Sequence, residues 1–169
     1  GWKVGNGIPV HAFGKRQDAI AAQDFETGSD GIPVLTYESV IDGEVENAGL
    51  GPLHTEFDGN GYAYTTAFIS SEIVKWEIGT WQVVDRIDVY YSVGHLMIPG
   101  GDSREPAGKY LVALNKITKD RYLPTGPELA HAAQLIDISG DRMRLLLDFP
   151  TQGEPHYAQA ISADLIRDR

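Results

Sequence analysis

From Leu50 onward, short runs of β-branched and aromatic residues alternate with Asp, Gly and Asn turns at close spacing, a pattern that leaves antiparallel sheet as the expected fold. Asp58-Gly59-Asn60-Gly61 is a tight turn feeding Tyr62-Ala63-Tyr64-Thr65-Thr66. Glu72-Ile73-Val74-Lys75-Trp76 reads as a second strand, and Val83-Val84-Asp85-Arg86-Ile87-Asp88-Val89-Tyr90-Tyr91 as a third. Further strands are expected at 109–115, 134–138 and 143–149, the last two joined through Ser139-Gly140-Asp141. The first 46 residues read differently, as a connector. It holds a strand-like Ile8-Pro9-Val10-His11-Ala12-Phe13, a short helical stretch around Gln17 to Gln23 and a polar turn at 27–31. Residues 47–169 form the second, all-β unit.

Three histidines, His54, His95 and His156, each stand in a Gly- or Pro-marked stretch read as a loop beside a β-rich segment. Loops of this kind can aim several imidazoles at one point. A convergent set with no cysteine points to a His-only transition-metal site. Taken singly, each histidine is more simply a surface or hydrogen-bonding residue. The repeated unit of histidine, turn and aromatic-bearing strand suggests blades of a β-propeller at about 40–45 residues each, so about three to four blades fit in the chain.

Composition narrows the chemistry. With 42% hydrophobic and 22% charged residues, 169 residues suffice for a domain with a real core. The balance of 14 Lys+Arg against 24 Asp+Glu, a net charge of -10, argues against a nucleic-acid partner. The absence of cysteine excludes a disulfide, an Fe–S cluster and a thiol nucleophile within this chain. No apolar run reaches the length of a membrane span, and Gly1-Trp2-Lys3-Val4-Gly5 shows neither a signal peptide nor an initiator Met. The chain is therefore expected to be a piece of something longer.

Several motifs carry a family resemblance. Gly49-Leu50-Gly51-Pro52-Leu53-His54-Thr55-Glu56-Phe57-Asp58-Gly59, Glu72-Ile73-Val74-Lys75-Trp76, Lys109-Tyr110-Leu111-Val112-Ala113-Leu114-Asn115-Lys116, Lys119-Asp120-Arg121, Gln134-Leu135-Ile136-Asp137-Ile138-Ser139-Gly140 and Gly153-Glu154-Pro155-His156-Tyr157 closely resemble nitrous oxide reductase. Details around Val93-Gly94-His95-Leu96 and Glu154-Pro155-His156-Tyr157 look more like its atypical, Sec-exported branch. The resemblance implies an all-β fold, a partial propeller corresponding to the later half of a seven-bladed one. It implies that His54, His95 and His156 are three of seven histidines holding a tetranuclear copper–sulfide centre, CuZ. It further implies a lysine and a glutamate beside the cluster, matched to Lys75 and Glu154, as a cation for the developing oxyanion and a carboxylate that orients it or relays a proton.

The whole enzyme of that family reduces N2O to N2 and water in denitrification. The resemblance implies a periplasmic homodimer with an electron donor such as a c-type cytochrome or a cupredoxin. Its second copper centre, CuA, needs two cysteines, which this chain lacks. Calcium is possible in the parent, with Lys116 matching one carbonyl position and its neighbour falling near His131. The isolated chain is expected to be inactive. Two other readings stay open: a non-catalytic propeller-like binding or scaffold module, and a three-histidine zinc hydrolase with Glu154 as base. His11 and His131 match no ligand. Tyr62, Tyr64, Trp76, Tyr90 and Tyr110 are expected to pack between blades.

Overall fold

The computed structural model describes residues 4–116, 131–161 and 166. The Lys119-Asp120-Arg121 motif lies outside the described residues. Two four-stranded antiparallel sheets dominate, each a meander in chain order. The first blade is β5 (Pro52–Phe57), β6 (Tyr62–Ala67), β7 (Glu72–Glu77) and β8 (Val83–Asp88). The second is β9 (Val93–Met97), β10 (Tyr110–Asn115), β11 (Ala132–Asp137) and β12 (Arg144–Pro150). Ahead of them, β1 (Ile8–His11) pairs with β4 (Ile41–Val45). Between those two strands come α1 (Phe13–Ala21), the hairpin of β2 (Phe25–Thr27) with β3 (Pro33–Leu35), and α2 (Tyr37–Val40).

The strands expected around 62–66, 72–76, 109–115, 134–138 and 143–149 form, and the one expected over 83–91 forms but ends at Asp88, where the chain turns into the crossover to the second blade. The histidine stretches at 54 and 95 are different from the expectation, because both lie inside strands, β5 and β9, instead of in loops. Each of those strands is the first of its blade, paired on one side only within its sheet. Such an edge tolerates the Pro and Gly that made the sequence look like loop: Pro52 opens β5, and Gly94 sits beside a register shift in the pairing with β10.

Local chemistry sets the first blade. Asp58 closes the β5–β6 turn by accepting from the Asn60 and Tyr62 N–H groups at 2.7 and 3.1 Å, which supports the positive φ of Gly59 and Gly61. Its other oxygen accepts from the Tyr64 hydroxyl at 3.1 Å, so a buried carboxylate and a buried phenol satisfy each other. Likewise the Trp76 Nε1–H donates to Thr65 Oγ1 at 2.9 Å.

The period of two along β6 and β7 divides their side chains between two cores. Ala63 and Trp76 join Ile8, Val45 and Ala48 against the β1–β4 sheet. Tyr64 and Ile73 face the second blade and pack on Val93, Leu96, Leu111, Ile136 and Met143. The order in space is thus the β1–β4 sheet, the first blade, then the second. Tyr64 packs between blades as expected and Trp76 packs toward β1–β4, whereas Tyr110 is half exposed.

Candidate metal centre

The two edge strands β5 and β9 lie against each other, and this brings His54 and His95 together. Their rings stack with centroids 3.6 Å apart and 24° between planes. His156 arrives from the irregular segment after β12, its ring 4.7 Å from that of His95. Three imidazoles separated by up to 102 positions therefore share one small volume, with Tyr157 edge-on to His95 at 5.9 Å.

The backbone holds this arrangement from several sides. The His54 N–H donates to Thr66 Oγ1 at 3.1 Å. The crossover into β9 is clamped by two buried amides: Gln134 Oε1 accepts from the Tyr90 N–H at 2.8 Å, and Asn115 Nδ2 donates to the Tyr90 carbonyl at 2.6 Å. The Lys116 N–H donates to the Ser92 carbonyl at 3.2 Å. Its side chain then runs over Gly94, where an added Cβ would fall 2.0 Å from Lys116 Cε. The ammonium ends 3.3 Å from His156 Nδ1.

Electrostatics favour neutral rings at His54 and His95. Burial lowers His95 to about 4, assisted by its neighbours His54, Lys116 and His156. His54 is lowered for the same reasons, burial first and then Lys116 and His156. Burial also lowers Lys116, while the Glu154 carboxylate opposes that shift. Neutral imidazole is the form that binds a transition metal. His95 Nδ1 is buried with no hydrogen-bond partner, as is Asn115 Oδ1. A buried ring nitrogen without a partner is costly unless another group takes up its lone pair or proton.

The donor set, imidazoles with no thiolate, is one that zinc, copper, iron or nickel accepts. Among the described residues no three His, Asp or Glu side chains meet in the arrangement of a closed metal site. The stacking shows why: rings in nearly parallel planes do not converge on one ion between them, which disfavours a single tetrahedral zinc.

The structure separates the expected lysine from this cluster. Lys75 lies on β7, opposite Tyr64 on β6 and Asp85 on β8. Its ammonium donates to the Gly140 and Asp141 carbonyls at 3.2 and 3.3 Å and sits over the Tyr62 ring at 4.3 Å. The cation that does reach the histidines is Lys116, which sequence reading treated only as a backbone carbonyl. Its signal was the Gly94 opposite, too remote in sequence to be paired with it. Glu154 lies two residues before His156 and acts on Lys116 through its charge. His11 is away from the cluster, edge-on to Tyr37 at 5.9 Å.

Two adjacent four-stranded blades with imidazoles at their touching edges define part of a β-propeller. Residues 86–156 match the nitrous oxide reductase propeller repeat. Nitrous-oxide reductase from Stutzerimonas stutzeri is 46% identical over 140 residues, that from Cupriavidus necator 43% over 143, and that from Ralstonia nicotianae 48% over 130. These alignments cover 77%, 78% and 70% of this chain. The chain belongs to the nitrous oxide reductase family, as part of its propeller. It spans about a fifth of the length of these relatives: 22%, 22% and 20%.

Proposed function

We propose that this chain forms part of the copper site of an enzyme that reduces nitrous oxide to dinitrogen and water in denitrification. The supporting observation is the packing of His54, His95 and His156 into one cluster, with His95 Nδ1 buried and without a partner. These three side chains would hold copper of the tetranuclear CuZ centre, and the remaining ligands would come from elsewhere in the longer protein. Residues 1–46 would serve as the connector into the propeller segment 47–169.

Reduced copper supplies the electrons and the Lewis acidity that an inert, weakly binding substrate needs. The residues of this chain would do the rest. Neutral imidazoles at His54 and His95 would hold the centre without adding charge. Lys116, beside His156, places a positive charge where negative charge develops on the departing oxygen. Glu154 partly offsets the burial that lowers Lys116 and would offer a carboxylate through which a proton returns to it. Lys75, matched to this role by resemblance, is engaged elsewhere, so the oxyanion-facing role passes to Lys116. The cellular setting that fits is the periplasm, with a c-type cytochrome or cupredoxin as donor and a homodimer as the working unit. CuA and most calcium ligands beyond Lys116 would lie outside this chain.

The test is anaerobic copper(I) loading of the chain beside His95→Ala. Copper retained by the native chain and lost from the variant supports the reading. Equal background copper in both would sink it for this chain, leaving a propeller module without a metal task.

A further inference from the structure

Lys75 and Asp85 stand opposite one another on β7 and β8, and both are nearly fully buried, at 4% and 5% exposure. Both reach out of their own blade to the same place. Lys75 Nζ donates to the carbonyls of Gly140 and Asp141 at 3.2 and 3.3 Å. Asp85 Oδ1 accepts from Arg142 Nε at 2.7 Å, and Asp85 Oδ2 from the Met143 N–H at 2.6 Å. Consecutive residues 140–143, the β11–β12 turn of the second blade, are thus gripped by one cross-strand pair of the first.

We propose that Lys75 and Asp85 are positioning residues: a latch that fixes the angle between the two blades so that His54 of β5 meets His95 of β9. Apolar and directional contacts join the blades, and the directional ones include, besides the latch, the Phe57 N–H to the Gly101 carbonyl at 3.1 Å and the Ser92 N–H to Ser71 Oγ at 3.1 Å. The apolar one, Tyr64 and Ile73 against Leu111, Ile136 and Met143, is non-directional and resists separation more than sliding. The latch is directional, with charged partners on one side and backbone groups or Arg142 on the other. It sits on β7 and β8, whereas the histidine contact sits on β5, at the opposite edge of the sheet. Attachment on opposite sides of one apolar contact leaves little freedom to rotate.

The burial of both charges supports this reading. A buried ammonium and a buried carboxylate side by side would ordinarily be explained as each other's partner. Here the side-chain hydrogen bonds of both go to the second blade, and the Tyr62 ring faces the Lys75 ammonium at 4.3 Å. If the blades shifted, each would be left buried with unmet bonds. The 3.6 Å stacking of His54 on His95 is the feature most sensitive to such a shift, since a small rotation at the latch is felt at the opposite edge. The latch itself needs no metal; its bearing on copper rests on the function proposed above.

The test is nuclear magnetic resonance on the metal-free chain, reading the Overhauser contact between the His54 and His95 ring protons. The contact between the Trp76 indole and Thr65 serves as the control within the first blade. Lys75→Met, Asp85→Asn and Arg142→Ala should each lose or reduce the histidine contact severalfold while the control persists, and Lys75→Arg should restore most of it. If Lys75→Met fails to fold, Arg142→Ala carries the test, because that side chain is 82% exposed and its loss removes only one arm of the grip. Wild-type histidine contacts in the folded variants would overturn the proposal, as would loss of the control contact in step with the histidine one. Copper is absent from this readout, so a failure of the copper reading leaves its result unaffected.

Discussion

Ala63, Tyr64, Val74 and Trp76 of the first blade are at most 4% exposed, while Leu145, Leu146, Leu147 and Phe149 of β12 in the second are between 38% and 53% exposed. Both sheets have four strands and both are antiparallel meanders, so hydrogen bonding does not distinguish them. What differs is the number of covered faces. The first blade lies between the β1–β4 sheet and the second blade; among the described residues the second has a packed neighbour on one face only. On its other face Met97, Val112, Leu135 and Leu147 are aligned in register straight across the sheet. Strand pairing makes a blade, and neighbours on both faces make its core.

Mutations should read out this asymmetry. Tyr64→Ala, in the fully covered position between blades, should cost about 4 kcal/mol in urea unfolding, by analogy with other large aromatic truncations. A cost near that of a surface change would show that the blades do not share a core. Asp58→Ala should cost about 2 kcal/mol, because it leaves two turn N–H groups and the Tyr64 hydroxyl without their acceptor. At the other end of the scale, Leu147→Ala should change stability by less than about 0.5 kcal/mol, since the residue is already half exposed. A large loss there would mean that the open face is covered in solution.

The seam between the blades should also respond to pH. His95 is held at about 4, below the ordinary 6.5, so between these values the unfolded chain binds the proton more readily than the folded one. The metal-free chain should therefore be most stable above pH 6.5 and lose stability as pH falls toward 4, with His54 acting in the same direction. His95→Ala should flatten that dependence in thermal melts. An unchanged slope would place the rings in open solvent instead of at a packed seam.

Much of the fold was legible because β6, β7 and β8 are dense in β-branched and aromatic residues, while β10 and β11 are short apolar runs bounded by Gly, Asp or Ser turns. Among the strands that escaped, besides the short β2 and β3, β4 with Ile41-Asp42-Gly43-Glu44-Val45, β5 with Pro52 and β9 with Gly94 hold residues that weaken local strand preference. Their conformation is imposed by partners elsewhere. Those same strands carry His54 and His95, so the histidines were visible as a set while their seats were misread as loops. Lys116 was invisible as a site residue for a related reason: its closeness to His156 spans 40 positions and depends on how β10 and the segment after β12 return to one edge. Lys75, chosen from motif alone, proved to be spoken for by a turn 65 positions away.

Gly94 gives this architecture a property that charge counting would miss. The aliphatic part of Lys116 occupies the space a side chain at 94 would need, so the smallest possible addition there competes with a cation for room. Position 94 thus controls by volume what is present at the histidines by charge. Gly94→Ala would displace the ammonium from His156 while leaving the formal charge and every titratable group of the chain intact. A relative carrying any larger residue at this point would have to bring its positive charge to the histidines by another route.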